Sequence, residues 1–366
     1  MKILFAAPLK REITPRITAS RPRIIFELIS GLAKKGHKIS VLGTGDSKIP
    51  GAKIIPVIPK SFVNMPPCEN PFYRETAYLT KMAKMLERAA DGFDVIHNHC
   101  YPEFINILVA EKIKRPIMTT VHAQITPELD EAFSFFNNVK NSYLISLSKA
   151  HRKLAKKTNF LKVVYNGVDT GLYGFYPKKE NYLLWIGRLS KAKDKNGNFL
   201  DPKGAKWAIK LAEETKSNLY LSGNIEDFSF FGKEVKPHLS SKIKWIGKLS
   251  SEQPLSKTEV AKLMKGAKAF LMTVNWEEPF GLVMAEAQSC GTPVIGFDRG
   301  SVKELVVHGK TGFIVPPEEK MNGLVNALKK INSINPFECR KHIERNFSLE
   351  KMVDNYEKTY KEILKK

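Results

Sequence analysis

The sequence predicts an α/β protein of two domains, each built on a mainly parallel sheet. Three observations carry this. Short β-branched runs recur along the whole chain; helical patterns separate most of them, an alternation that buries a parallel sheet on both faces; and 366 residues exceed the usual length of about 100–200 residues for one domain.

The first-half runs are KILFAAP, KISVLG, AKIIPVI, DVIHNH, PIMTTVH, SYLISLS and KVVYNGV. Between the first two, RIIFELISGLAKKG places Ile24, Ile25, Leu28, Ile29 and Leu32 on one helical stripe, and Gly36 ends it. The second half repeats the plan with YLLWIGR, NLYLSG, KIKWIG, KAFLMTV, PVIGFD and GFIVPP. Residues 169–180, DTGLYGFYPKKE, carry glycines and a proline without a period, so the hinge is expected there. The predicted domains are 1–168 and 169–345, with 346–366 a terminal helix returning toward the first domain. Ligands of open α/β sheets gather beyond the carboxyl ends of the strands, which directs attention to the residues after each run and to a cleft between the domains.

Composition excludes several classes. With 43% hydrophobic, 26% charged and 10% aromatic residues the chain is an ordinary globular one. Cys68, Cys100, Cys290 and Cys339 are far apart with no C-x-x-C pair, which argues against a zinc ribbon or a disulfide framework and for a reducing, cytoplasmic setting. MKILFAAP has only about six apolar residues before Lys10, too few for a signal peptide. No window approaches the roughly 18 apolar residues needed to cross a bilayer, so any membrane contact is expected to be peripheral.

The net charge is +22. Residues 1–50 hold ten basic and three acidic residues and 151–200 hold eleven and three, whereas 51–150 is almost balanced. Such placement points to an anionic partner, against the plain alternative of a solvated basic surface. Nucleic acid is not the expected partner, because the basic residues are not interleaved with stacking aromatics.

Neither half has G-x-G-x-x-G after its first strand, and no P-loop occurs. The run KAFLMTV instead leads into NWEEPFGLVMAEAQSCGTPV, with Glu278 before Pro279 and Glu286 eight positions on. Pro279 suits a first helical turn, which would present the backbone N–H groups of Phe280, Gly281 and Leu282 to phosphate or sugar oxygens. A fully helical segment would separate the two carboxylates by roughly 12 Å, about one nucleotide sugar. One would accept hydrogen bonds from a sugar, the other from ribose hydroxyls.

EPFGLVMAEAQSCGTPV resembles the donor-binding signature of retaining family 4 glycosyltransferases. The likeness extends through YNGVD, WIGRLS, DPKG, KIKWIGKLS and GSVKELVVHGKTGFIV, nearly the whole chain. The resemblance implies the GT-B fold, two facing Rossmann-like domains with a deep cleft, and a metal-independent, retaining transfer of a hexose from a UDP-, GDP- or ADP-sugar to an acceptor hydroxyl of a lipid, glycan or small molecule. No cofactor and no bound metal are implied.

Carried onto this sequence, the resemblance assigns Arg188 and Lys203 to the donor diphosphate, where fixed cations stabilise the departing oxygen. SKAKDKNGNFLD lengthens the loop between them, so Lys193 is a second candidate for the lysine. His122 matches a histidine that bonds a hydroxyl or a backbone carbonyl near the donor sugar. Gly223, Gly247 and Lys248 match positions lining the nucleotide, with Glu286 on the ribose and Glu278 on the transferred sugar. His97 and His99 read as structural, since two ligands on one strand with no further cluster make no metal site.

The chain departs from the family in the loop after its first strand, where paired glycines are usual. PLKREITPRITASRPR has none and carries Lys10, Arg11, Arg16, Arg21 and Arg23. These mark an acceptor side suited to an anion, and with SKAHRKLAKK (148–157) a surface for the inner face of an anionic membrane. A second departure is Ser301 in GSVKE, where many relatives have glycine. The rival functions are a nucleotide-sugar 2-epimerase of the same fold, which would turn over donor without acceptor, and a nucleic-acid-binding protein with steeply salt-dependent affinity.

Overall fold

All thirteen runs become strands in a computed structural model that describes residues 1–252 and 255–366. The chain divides into two units, Met1–Gly167 together with Leu349–Lys366, and Val168–Ser348.

The first unit holds β1 (Lys2–Ala6), β2 (Lys38–Thr44), β3 (Ala52–Ile58), β4 (Val95–Asn98), β5 (Ile117–Thr120), β6 (Ser142–Ser146) and β7 (Phe160–Val163). They form one parallel sheet in the order β3-β2-β1-β4-β5-β6-β7. β7 lies two residues earlier than its run suggested, because Phe160 rather than Val164 pairs with β6. The helix Ser20–Lys34 buries the predicted stripe, and Gly36 follows it with φ +84°. The terminal helix Leu349–Ile363 buries Met352, Val353, Tyr356, Tyr360 and Ile363. Gly31 gives Val353 room, since a Cβ there would stand 2.4 Å from Cγ2 of that valine.

The second unit holds β8 (Leu183–Ile186), β9 (Leu219–Ser222), β10 (Ile243–Trp245), β11 (Ala269–Met272), β12 (Val294–Phe297) and β13 (Gly312–Val315). Their order is β10-β9-β8-β11-β12-β13, again all parallel. Its core gathers Trp185, Leu221, Leu271, Ile295 and Phe230 around the sheet.

The expected hinge is corrected. Residues 169–180 are tied into the second unit: the Tyr173 carbonyl accepts from Ser289 Oγ (2.7 Å) and Arg340 (2.9 Å), and Glu180 N donates to Gly266 O (2.7 Å). The chain changes units at Gly167–Val168 and again at Ser348–Leu349. Glycine and proline in the segment shape turns that are hydrogen-bonded to neighbours, which composition cannot distinguish from a free linker.

In each sheet the strand order reverses once, beside β1 and β4 in the first and beside β8 and β11 in the second. The carboxyl ends of these strands are where an open α/β sheet receives ligands. Among the described residues no helix is long and apolar enough to cross a membrane.

Candidate functional site

In the second unit the site is assembled from the segments after β8 and β11. The DPKG turn is bound to the residues following β11: Asn275 N donates to Pro202 O (2.9 Å), Asn275 Nδ2 to Asp201 O (2.8 Å) and Thr273 Oγ1 to Gly204 O (2.7 Å). The buried Asp201 carboxylate caps the helix Ala205–Glu214 by accepting from Ala205 N (3.0 Å) and Lys206 N (2.9 Å). Burial pushes its pKa up to about 6 although those N–H groups favour the charged form. Trp185 Nε1 holds the Lys203 carbonyl at 3.0 Å.

So anchored, Lys203 meets Glu278. Its Nζ lies 2.7 Å from Glu278 Oε2, with side-chain exposures of 21% and 9%. The indole of Trp276 joins them, its Nε1 donating to the same oxygen at 3.0 Å and its ring lying 4.4 Å from the ammonium. Lys193 is elsewhere, over the ring of Phe199 and 3.9 Å from Asp227. The ammonium expected to face a diphosphate therefore stands on the carboxylate expected to face a sugar, a mostly buried pair whose members a donor molecule would recruit separately.

The loop after β12 fixes the backbone of Glu278. Ser301 N donates to Glu278 O (2.9 Å), and Ser301 Oγ to Phe280 O (2.7 Å). Gly300 has φ +61°, and a Cβ there would lie 2.3 Å from Glu278 O. Serine in place of a second glycine is thus accommodated because its hydroxyl ties down the carbonyl beside the site.

One expectation is corrected here. Pro279 is not in a first helical turn; the helix is Leu282–Ser289, with Gly281 as its N-cap at φ +77°. Phe280 precedes the helix, and the helical rise covers only part of the path from Glu278 to Glu286, so the 12 Å separation does not follow from it. Gly281 in the left-handed region turns the chain between extended and helical segments, a step that the proline signal hides. Glu286 is buried, in the second turn of that helix.

The remaining donor-side candidates follow the strands β8, β9 and β10. Arg188, after β8, pairs with Glu226 at 3.2 Å and remains half-exposed. Gly223, after β9, has φ +143°, and a Cβ would stand 1.5 Å from Gly187 O, so only glycine permits that approach of neighbouring strand ends. Gly247 and Lys248 lie after β10, exposed at the sheet's edge.

In the first unit His122 sits two residues beyond β5, and its Nε2 is 2.8 Å from His99 Nδ1. His99 Nε2 is 3.2 Å from His97 Nδ1. The three rings are a cluster that spacing along a single strand did not reveal, since the third comes from the neighbouring strand. Burial takes His99 down to about 3 and holds His97 and His122 well below the ordinary value, and the Arg21 charge presses on His99 and His122. Among the described residues no group of three or more His, Cys, Asp or Glu is placed to hold a metal ion.

The basic loop is also corrected. Arg21 and Arg23 belong to the helix Ser20–Lys34, not to a loop, and Arg23 is buried. Arg21 is held by the buried Glu103 (2.9 Å), by the Cys100 carbonyl (3.4 Å) and over the Tyr101 ring (5.1 Å). Arg11 is half-buried, and of the five only Lys10 and Arg16 are exposed. In 148–157, His151 is buried against the Ala123 carbonyl (2.8 Å), whereas Lys149, Arg152, Lys153, Lys156 and Lys157 are exposed. Sequence reading missed Trp276, Asn275 and Glu103; only Trp276, beside Glu278, carried a signal.

Comparison with known proteins bears on the family and the fold. The model "Glycosyltransferase Family 4" matches residues 22–172 and "Glycosyl transferases group 1" matches 175–347. The chain is 25% identical over 93% of its length to N-acetyl-alpha-D-glucosaminyl L-malate synthase of Bacillus anthracis, with 93% of that protein covered. It is 21% identical to phosphatidyl-myo-inositol mannosyltransferase of Mycolicibacterium smegmatis, over 83% of this chain and 78% of that protein. The Anabaena protein HepE, solved with UDP-glucose, superposes with TM-score 0.69 at 17% identity, over 99% of this chain and 100% of that one. With parallel sheets of seven and six strands, GT-B structures as neighbours and the two models in succession along the chain, the protein belongs to the group 1, family 4 glycosyltransferases, enzymes that transfer a sugar from a nucleotide sugar.

Proposed function

We propose that this glycosyltransferase moves a hexose from a nucleoside diphosphate sugar, in the first place a UDP-sugar, to the hydroxyl of an anionic acceptor, with retention at the anomeric carbon and without a metal ion. The observation that carries the reading is the Lys203–Glu278–Trp276 cluster, set where the strand order of the second sheet reverses.

In the proposed reaction the bond from the anomeric carbon to the diphosphate oxygen breaks, and its electron pair stays on the diphosphate. The acceptor oxygen bonds to the anomeric carbon on the same face, and its proton passes to the departing diphosphate. Lys203 and Arg188 supply the fixed positive charge that this oxygen requires. Glu278 accepts from hydroxyls of the transferred sugar, Glu286 from those of the ribose, and Gly223, Gly247 and Lys248 line the nucleotide. His122 is assigned to a substrate hydroxyl.

UDP is favoured by HepE, the structural neighbour solved with UDP-glucose. The anionic acceptor is supported by Arg21, held beside His122 and His99, and by the malate and phosphatidylinositol in the relatives' names. The exposed lysines and arginine of 149–157, with Lys10 and Arg16, favour a peripheral contact with an anionic bilayer, at about 1 kcal/mol for each residue near the surface.

The test is turnover of UDP-, GDP- and ADP-hexoses with malate, inositol phosphate and neutral sugars as acceptors, with and without EDTA, reading the product's anomeric configuration by NMR. A retained anomer, EDTA resistance and preference for an anionic acceptor are expected. An inverted product or loss of activity in EDTA would overturn the mechanism, and donor epimerised without acceptor would give the reaction to a 2-epimerase. Equal sedimentation with anionic and neutral vesicles would leave the basic surface a solubility feature.

A further inference from the structure

His122 is the outer end of a hydrogen-bonded chain that runs inward through the first unit. Behind its contact to His99, and the contact of His99 to His97, the Tyr360 hydroxyl lies 2.7 Å from His97 Nδ1. The other nitrogen of His97, Nε2, lies 2.8 Å from Thr120 Oγ1, which is 3.0 Å from the Tyr356 hydroxyl. His97, His99, Thr120, Tyr356 and Tyr360 are all fully buried.

A neutral imidazole has one N–H and one lone pair, so the chain has only two consistent directions of donation. No doubly protonated ring relieves this constraint, because burial holds all three histidines neutral near pH 7. Tyr360 decides between the directions. Its hydroxyl carries one proton, its hydrogen-bond partner among the described residues is His97 Nδ1, and a buried donor left unmade is costly. Donation by Tyr360 leaves the His97 proton on Nε2, facing Thr120. The single lone pair of His97 Nδ1 then lies between the Tyr360 hydroxyl at 2.7 Å and His99 Nε2 at 3.2 Å; a His99 N–H shares it as the longer arm of a three-centre contact, whereas a His99 lone pair would face it in repulsion, so the His99 proton is on Nε2 and its Nδ1 accepts. His122 must therefore carry its proton on Nε2, donated to His99. The reverse direction would leave the Tyr360 proton without an acceptor.

We propose that Tyr360 fixes the tautomer of His122 through His97 and His99, so that His122 meets its ligand at Nδ1 as a hydrogen-bond acceptor. Such an acceptor selects a hydroxyl or N–H and rejects a carbonyl or phosphate oxygen. This deepens the assignment of His122 to a substrate hydroxyl and rests on it. Tyr360, His97 and His99 are positioning residues, with no contact to substrate required.

The experiment uses the full chain labelled with 15N-histidine, with imidazole tautomers read from long-range 1H–15N correlations and kinetics taken in parallel. The wild type is expected to show His122 protonated at Nε2 and bare at Nδ1. Tyr360→Phe keeps the ring and removes the O–H; it should populate the opposite tautomer and lower kcat about tenfold, the scale of one mispaired buried hydrogen bond, while nucleotide affinity holds. Tyr356→Phe, which removes a hydroxyl on the Thr120 side, should leave the His122 tautomer as in the wild type. A wild-type His122 protonated at Nδ1, or a Tyr360→Phe spectrum unchanged at His122, would overturn the proposal. Full turnover by His122→Phe would overturn the substrate contact beneath it, and is told apart because the wild-type tautomer signal stands regardless.

Discussion

Replacing Lys203 by methionine removes the ammonium and keeps most of the stem. The lost groups are the hydrogen bond to Glu278 at 2.7 Å and the position 4.4 Å from the Trp276 ring centroid. A charged hydrogen bond contributes about 1.5–3 kcal/mol and a partly buried cation–π contact about 0.5–2 kcal/mol. The variant should therefore lose about 2–5 kcal/mol, partly because Glu278 remains mostly buried with Trp276 Nε1 as its described donor. At about 2–4 °C per kcal/mol for a domain of this size, Tm should fall by roughly 4–20 °C. Turnover should fall by about 10²–10³, the usual cost of one preorganised charge at a departing oxygen. Calorimetry and initial rates separate the two effects, and the double variant Lys203→Met/Glu278→Gln sharpens them: removing both charges should recover much of the Tm and none of the rate. Near wild-type turnover in Lys203→Met, with the Tm lowered, would show a purely structural pair and refute the reasoning. Loss of rate in Lys193→Met would then move the role to Lys193.

Gly300→Ala should strain the loop after β12, since φ is +61° and the new Cβ would press on the Glu278 backbone at 2.3–2.4 Å. A stability cost of about 1–3 kcal/mol, read as a lowered Tm, and a loss of turnover with nucleotide affinity kept are expected, and unchanged kinetics would show that the loop does not place Glu278. Acid should act oppositely on the two units. His99 and His151 have pKa values lowered to about 3 and about 4, so the unfolded chain binds more protons between these values and 6.5, and stability present above pH 6.5 is lost on acidification. Each such imidazole contributes about 1.4 kcal/mol per pH unit within its window. Asp201 is raised from 3.8 to about 6, so its contribution instead declines as pH rises through that interval. Hydrogen exchange between pH 7 and 4.5 should show the first unit weakening, and the second unit gaining from Asp201 a term that Asp201→Asn removes; equal responses in both would refute the signs.

The alternation of β-branched runs with amphipathic segments was sufficient to place thirteen strands in two sheets, because a strand buried on both faces must be apolar throughout and its covering helix must show a 3.6-residue stripe. The glutamates of EPFGLVMAEA stood out as charged residues in the segment that follows an apolar run, and the lysine of DPKG through the family resemblance. Local pattern failed where the deciding partner is distant in sequence. Nothing in DPKG shows that Asn275 and Thr273 will bring Lys203 onto Glu278. Nothing in PRITASRPR shows that Arg21 and Arg23 will enter a helix and that Glu103 will hold the first of them. His97 and His99 read as an isolated pair until β5 carried His122 beside them and the terminal helix brought Tyr360 behind. Periodicity is a property of neighbours along the chain, whereas a buried hydrogen bond is decided by which strand ends the sheet order sets side by side, and that order exists only in the folded molecule.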